Sequence, residues 1–455
     1  MKPWTFHVHV FLLCLITLPS HINAAIGLDL ASRDSIKEAA KQAAAGMTKY
    51  YTGYRPGDVP GNLPAPYYWW EAGAMFGSLI DYWRLTGDEA YNTITTQALL
   101  HQVGPGKDFM PPNQTKTLGN DDQAFWAIAA LSAAENKYPN PPSDAGVSWL
   151  ALAQAVFNLQ AARWDNTTCN GGLRWQIFAF NSGYNYKNTI SNGLFFQIGA
   201  RLAVYTGNDT YYQLASRMWD WSSSEGLFDA EYNFFDGSDV LKNCTDLDHT
   251  QWTYNVGTYL VGAANMYNYT NGGQVWADRL NGIIGRLRIF FVNDVMYERA
   301  CEPRGSCNVD QRSFKAYLSR WMAMTIIRAP FTRPLLKPLL EASAIAAVKT
   351  CTGGDEGNQC GQKWTTGAFD GLTGVGEQMC ALEVIQSNLI DYAPGLATLV
   401  DGISKGDSLA GTHSAVGPED LLKQPVSTGD KVGAWIMTAA IFLLVVGTIA
   451  WLVVG

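Results

Sequence analysis

Two adjacent carboxylates, Asp121 and Asp122, stand in the segment GNDDQAFWAIAALSAAE, which runs from Gly119 to Glu135. Almost no charge follows them. Carboxylates at the mouth of an apolar helix are costly to bury unless something compensates. Two kinds of compensation fit the local pattern. Asn120 with Gln123 resembles a capping box, and acidic residues in a first helical turn are favoured by the helix dipole. The pair also has the composition needed for glycoside hydrolysis. There one carboxyl protonates the leaving oxygen, and the other attacks the sugar carbon or activates water. Attack needs a separation of about 5–5.5 Å and water activation about 6.5–9.5 Å. Adjacent residues at a helix start reach the shorter distance more readily, so the spacing predicts retention of configuration. Neighbouring carboxylates resist ionising together, while the helix N-terminus favours both anions. Which of the two holds the proton stays open.

Metal chemistry fits less well. DDQAF begins like a DDxxD diphosphate–magnesium motif, but Phe125 stands where the third acid belongs. The histidines have no metal-ligand spacing. GGDEGN at Gly353 reads as a calcium contact or a solvated loop, and the solvated loop is the simpler reading. No metal or cofactor is expected.

The 455-residue chain carries a net charge of -8 and no basic stripe, so nucleic acid is not an expected partner. Only 16% of residues are charged and 12% are aromatic. That balance suits a protein that binds neutral rings such as sugars, or one with a large aromatic core.

Helical patterns of two kinds alternate along the chain. RDSIKEAAKQAAAGMTKYY and QVWADRLNGIIGRLRIFF are amphipathic. WEAGAMFGSLIDYW, DDQAFWAIAALSAAE, NGLFFQIGARLAVY and WTYNVGTYLVGAANMY are apolar nearly all round and must be surrounded by protein. Weaker buried candidates lie at 314–327 and 377–389. RLTGDEAY, VYTGNDTYY and NYTNGGQVW recur in phase with a unit of about 60 residues. Six such hairpins predict an all-α (α/α)6 barrel, with an inner and an outer ring of helices. Links from inner to outer helices are short. The return links, 52–68, 104–119, 163–190, 225–250, 294–312 and 350–376, are long, and long loops in a compact domain are usually functional. They open together at the N-terminal ends of the inner helices and form the expected cleft. From this position, Trp69, Trp70, Glu71, Arg174, Trp175, Lys187, Asn188, Asn192, Trp252, Tyr254, Asn255 and Lys315 are candidate sugar contacts. Aromatic rings would stack on sugar faces, and Asn, Arg and Lys would bond hydroxyls. Asp246 and Asp248 lie in a cleft-side loop and read as solvated.

Both chain ends read as processing signals. Residues 1–25 read as a secretory signal, 26–400 as the catalytic domain and 401–431 as a polar spacer. The apolar tail, 432–455, reads as a GPI attachment signal, with attachment between Gly406 and Ser414, or as a single membrane-spanning helix. Secretion agrees with sequons at Asn113, Asn166, Asn208, Asn243 and Asn268. Of eight cysteines, Cys14 leaves with the signal. Cys301 with Cys307 and Cys351 with Cys360 are close enough to close local loops, and Cys169 pairs with Cys244 by elimination. Cys380 is left free in an apolar helix.

GNDDQAFWA, CNGGLRWQI, YKNTISNGLFFQIGARLAVYTGN, QWTYNVG, SFKAYLSRW and GEQMCALEV, taken in order, resemble glycoside hydrolase family 76. More closely, they resemble its fungal GPI-anchored branch of mannan endo-1,6-α-mannosidases involved in cell-wall assembly. The resemblance covers roughly residues 30–395 and implies an (α/α)6 barrel. It also implies a retaining enzyme acting on α-1,6-linked mannose, with Asp121 as nucleophile and Asp122 as general acid/base. The implied donor is α-1,6-mannan or a GPI-core glycan, and the acceptor is wall glucan (transglycosylation) or water (hydrolysis). The implied location is the outer face of the plasma membrane or the wall, through a GPI anchor. The competing readings are a mannan-binding wall protein without turnover and a simple surface endo-mannanase.

Overall fold

A computed structural model describes residues 26–114, 116–412 and 428–454. The expected signal at 1–25 lies outside them, as does Ser414. The two TG turns explain how the hairpins form. Helix α2 (Trp69–Thr86) ends at Gly87 and α6 (Thr189–Thr206) at Gly207, both left-handed, with φ of 78° and 68°. Glycine takes this conformation without steric cost. At each turn the threonine hydroxyl bonds back into its own helix and accepts the N–H of Asp88 or Asn208. Asn208 then caps α7 (Asp209–Ser224).

The remaining helices are α1 (Arg33–Thr48), α3 (Asn92–His101), α4 (Asn120–Glu135), α5 (Trp149–Ala162), α8 (Thr253–Tyr269), α9 (Gln274–Leu287), α10 (Phe314–Arg328), α11 (Arg333–Lys349) and α12 (Val375–Gln386). Helices α2, α4, α6, α8, α10 and α12 each pack on the next, and α12 returns to α2 to close the inner ring. The others pack outside, and α1 covers α12. This is the expected (α/α)6 barrel. The outer helices bury one stripe each, as Trp276, Leu280, Ile283, Ile284 and Leu287 do in α9. Inner helices approach closely where a side chain is missing. A Cβ on Gly73 would stand 2.8 Å from the Trp126 ring.

The end of the barrel opposite the long loops is held by ions inside helices that read as apolar. Arg201 pairs with Glu135 at 2.7 Å, and Arg328 approaches the same carboxylate at 3.6 Å. Arg320 pairs with Asp81 at 2.8 Å and with Glu383 at 2.6 Å.

Three of the connections between outer and inner helices carry strands that the sequence pattern does not announce. β1 (Tyr186–Asn188), β2 (Gly237–Asp239) and β3 (Leu247–Asp248) form one antiparallel sheet in that order. β4 (Phe291–Val292) and β5 (Val295–Met296) form a hairpin. The Cys169–Cys244 disulfide ties the first two loops together. Cys301–Cys307 and Cys351–Cys360 close local loops, and Cys380 is free and buried.

Residues 397–410 form a strap across the barrel wall. Ala397 N–H donates to Glu135 O at 2.7 Å and Leu399 N–H to Tyr205 O at 2.8 Å. Asp407 N–H donates to Gln154 Oε1 at 2.7 Å. Asn158 Nδ2 donates to Ser408 O and Ala410 O at 3.0 and 2.8 Å. The stretch 401–412, read from sequence as the start of a spacer, thus lies along α5. Helix α13 (Thr428–Val454) is long and apolar enough to cross a membrane, and its described side chains are exposed.

Candidate active site

Helix α4 begins at the floor of the loop face, and its first turn carries the aspartate pair. The helix is capped by Gly119 rather than Asn120. Asp122 itself accepts the Gly119 N–H at 2.7 Å, so capping and cleft lining fall to the same side chain. Asn120 and Gln123 do other work. Their side-chain oxygens accept from Arg163 at 3.0 and 2.6 Å, fixing the helix start to the loop after α5. Trp175 O accepts the Asn120 N–H at 2.8 Å, and Trp175 N–H donates to Tyr186 O at 2.6 Å. The indole is thereby held over the cleft beside the sheet.

Asp121 Oδ2 accepts from Asn188 Nδ2 at 3.0 Å, and its Oδ1 accepts the Asp122 N–H at 2.9 Å. Burial raises its pKa to about 6, against the pull of those hydrogen bonds. Asp122 is pushed well above the usual carboxylate range, first by burial and then by the charge of Asp121 beside it. Asp121 is therefore the readier anion and Asp122 the readier proton donor.

A cavity of about 630 Å³ and a second of about 220 Å³ meet at Trp70, Asp122, Trp175 and Asp310, which line both. Trp69, Tyr67, Tyr68 and Gln176 line the larger. Asp121, Phe125, Tyr186, Asn188, Asp236, Tyr254 and Phe314 line the smaller. Tyr254 and Phe314 stack face to face at 3.8 Å, and Trp70 lies 4.7 Å from Phe125. The carboxyl pair thus sits between two aromatic-walled spaces, which suits a chain of rings bound on both sides of one bond.

Of the sequence candidates, Trp69, Trp70, Trp175, Asn188 and Tyr254 line this cleft with Asp121 and Asp122. Six do not. Lys187 is buried, paired with Asp165 at 3.3 Å and bonded to Thr168 O at 2.7 Å. Arg174 pairs with the same Asp165 at 3.0 Å and covers the Tyr184 ring. Lys315 pairs with Glu302 at 2.7 Å and lies over Trp364. Asn192 is buried and bonds both backbone groups of Leu173. Asn255 is buried against Phe235 O. Glu71 is fully buried, and burial, with the charges of Asp310 and Glu377, pushes its carboxyl well above the ordinary range. Lys187, Arg174, Lys315 and Asn192 are engaged inside the wall, while the Glu71 carboxyl and Asn255 Oδ1 are buried there without a hydrogen-bond partner. Trp252 stands one ring further out, edge-on to Phe314. All five sequon asparagines are exposed.

Two cleft carboxyls escape sequence reasoning. Asp310 accepts from Trp70 Nε1 at 3.2 Å, and Asp236 accepts from Tyr186 Oη at 2.9 Å. Burial raises both to about 6. Asp310 lies at the end of the long loop that leads into α10, whereas Asp236 immediately precedes β2, in the middle of the loop between α7 and α8. Among the described residues, no three His, Cys, Asp or Glu side chains group as a metal-ligand set.

The family model for glycosyl hydrolase family 76 matches residues 35–399. The mannan endo-1,6-alpha-mannosidase DCW1 of Saccharomyces cerevisiae is 45% identical over 432 residues, covering 94% of this chain and 95% of that protein. The crystal structure of Dfg5 from Chaetomium thermophilum in complex with glucosamine is 47% identical, with a TM-score of 0.83 over 86% of this chain and 98% of that one. An inactive variant of an α-1,6-mannanase of Salegentibacter sp., in complex with α-1,6-mannotriose, is 18% identical. It shares the fold, with a TM-score of 0.62 over 78% of this chain and 99% of that one.

Proposed function

The chain belongs to glycosyl hydrolase family 76, and from that premise we propose that it is a retaining endo-acting enzyme on α-1,6-linked mannose at the fungal cell surface. The observation that carries the reading is the pair Asp121 and Asp122, with unequal proton affinities, set where two aromatic-walled cavities meet. Asp121, as the carboxylate, attacks the anomeric carbon. The C1–O bond to the leaving sugar breaks as Asp122 gives its proton to that oxygen. A hydroxyl of the acceptor then attacks the same carbon from the vacated side and loses its proton to Asp122, which frees Asp121. Two inversions give net retention.

The finer reading is that the acceptor is a wall glucan, so the enzyme transfers mannose-bearing GPI glycans instead of releasing them to water. The apolar C-terminal helix supports a GPI signal and a site at the membrane's outer face. The experiment incubates residues 26–412 with α-1,6-mannan, with and without labelled glucan, beside Asp121→Ala. Labelled glucan joined to mannose, lost in the variant, supports transfer. Free mannose oligomers alone mean hydrolysis. Binding without any product means a mannan-binding protein.

A further inference from the structure

Beyond the aromatic row of the cleft lies a third cavity of about 420 Å³, lined by His249, Thr250, Gln251, Trp252, Arg299, Ala300 and Arg304. In a chain of net charge -8, this pocket presents two arginines and a histidine and no carboxylate. The acids next to it in sequence are occupied. Asp248 Oδ1 accepts the Thr250 N–H at 2.9 Å, Glu302 pairs with Lys315, and Glu298 is buried against Thr253 at the start of α8. The pocket has a firm frame. Glu298 pins the segment that carries Arg299, and the Cys301–Cys307 disulfide closes the turn that carries Arg304. Arg304 spends one donor on Ala300 O at 2.9 Å, and the His249 ring packs edge-on to Phe235 at 4.4 Å.

Its place relative to the cleft is defined by rings. Tyr254 and Phe314 line the smaller cavity with Asp121, and Trp252 meets Phe314 edge-on at 5.6 Å while forming a wall of the cationic pocket. A sugar chain leaving Asp121 along Tyr254 and Phe314 reaches Trp252 next. Guanidinium forks match phosphate oxygens bidentately, which an isolated ammonium does not.

We propose that the pocket formed by Arg299, Arg304 and His249 is a phosphate subsite, which recognises a phosphate ester carried by the mannose chain bound at Asp121 and Asp122. It rests on the mannan reading above and narrows it to a phosphorylated oligomannoside. The subsite binds only, and no bond is made or broken there.

The test is titration calorimetry on the detergent-solubilised protein carrying Asp121→Asn, to prevent turnover. The probes are α-1,6-mannotriose and the same trisaccharide bearing a phosphate monoester. The phosphorylated form should bind at least about tenfold more tightly. The preference should shrink between about 0.05 M and about 0.5 M sodium chloride. It should fall to near parity in Arg299→Ala with Arg304→Ala. Equal affinity for the two probes, or a preference that survives both substitutions, overturns the subsite and leaves the mannan reading intact. If neither trisaccharide binds, the mannan reading falls, and inorganic phosphate decides the pocket alone. A shift of the His249 imidazole resonance on adding phosphate, abolished in the double arginine variant, upholds an anion site. No shift overturns it.

Discussion

Asn188 donates to Asp121 Oδ2 across 3.0 Å, from the end of β1 to the first turn of α4. The two residues are 67 positions apart in sequence and come from different hairpins. The bond favours the charged carboxylate, while burial opposes it and leaves the pKa at about 6.

Asn188→Ala removes a donor that stabilises the anion, so the Asp121 pKa should rise further. As the proposed nucleophile, Asp121 must be ionised to attack. The acid limb of kcat/KM should therefore lie near pH 6 in the parent, with activity lost as pH falls through it. In the variant the limb should move upward by on the order of one pH unit. A pH profile of mannan cleavage measures both. A limb that stays in place would remove Asn188 from the control of Asp121.

Asp122→Asn removes the proposed proton donor but keeps the shape and an acceptor oxygen for Gly119 N–H. Cleavage of mannan should fall by about 10²- to 10⁴-fold. An aryl α-mannoside, whose phenolate leaves without a proton, should lose far less in the formation of the glycosyl-enzyme. Burst kinetics with the two substrates separates these effects, and equal losses on both would reject the acid role.

Gly119→Ala tests close approach. Its φ of -92° is open to any residue, but a Cβ there would stand 2.3 Å from Asp121 Oδ1. The carboxylate must move, and a displacement of this kind costs up to about 10²-fold in rate. Thermal melting should change little while kcat drops, which steady-state kinetics and calorimetry together reveal.

Glu135→Ala should act on stability instead. It leaves Arg201 and Arg328 buried with their shared carboxylate gone. Breaking a buried pair this way costs about 3–5 kcal/mol. Urea unfolding followed by tryptophan fluorescence should show the midpoint falling by a corresponding amount.

The barrel was legible because its signals are local. Threonine–glycine turns at Gly87 and Gly207, helices without a polar face, and unequal link lengths all appear within a single hairpin. The aspartate pair was legible for the same reason. What the sequence does not display is which buried group meets which. Lys187 and Lys315 stand beside cleft loops and carry the right chemistry for sugar hydroxyls, yet carbonyls and carboxylates inside the wall use their ammonium groups first. Asp310 becomes a cleft residue through Trp70, 240 positions away. The short sheet that holds Asn188 and Asp236 forms between loops of different hairpins, and neither loop has the alternating pattern of a strand.

The strap on α5 has a mechanical consequence. Its contacts begin at Glu135 and Tyr205, at the blunt end of the barrel, and climb α5 to Asn158. A pull on the chain beyond Thr412 directed along α5 loads these bonds together in shear. A pull directed outward opens them singly, starting at Asn158. The chain up to Thr412 is thus a handle fixed to the flank of the barrel, and a load applied at its end is borne by the outer ring of helices.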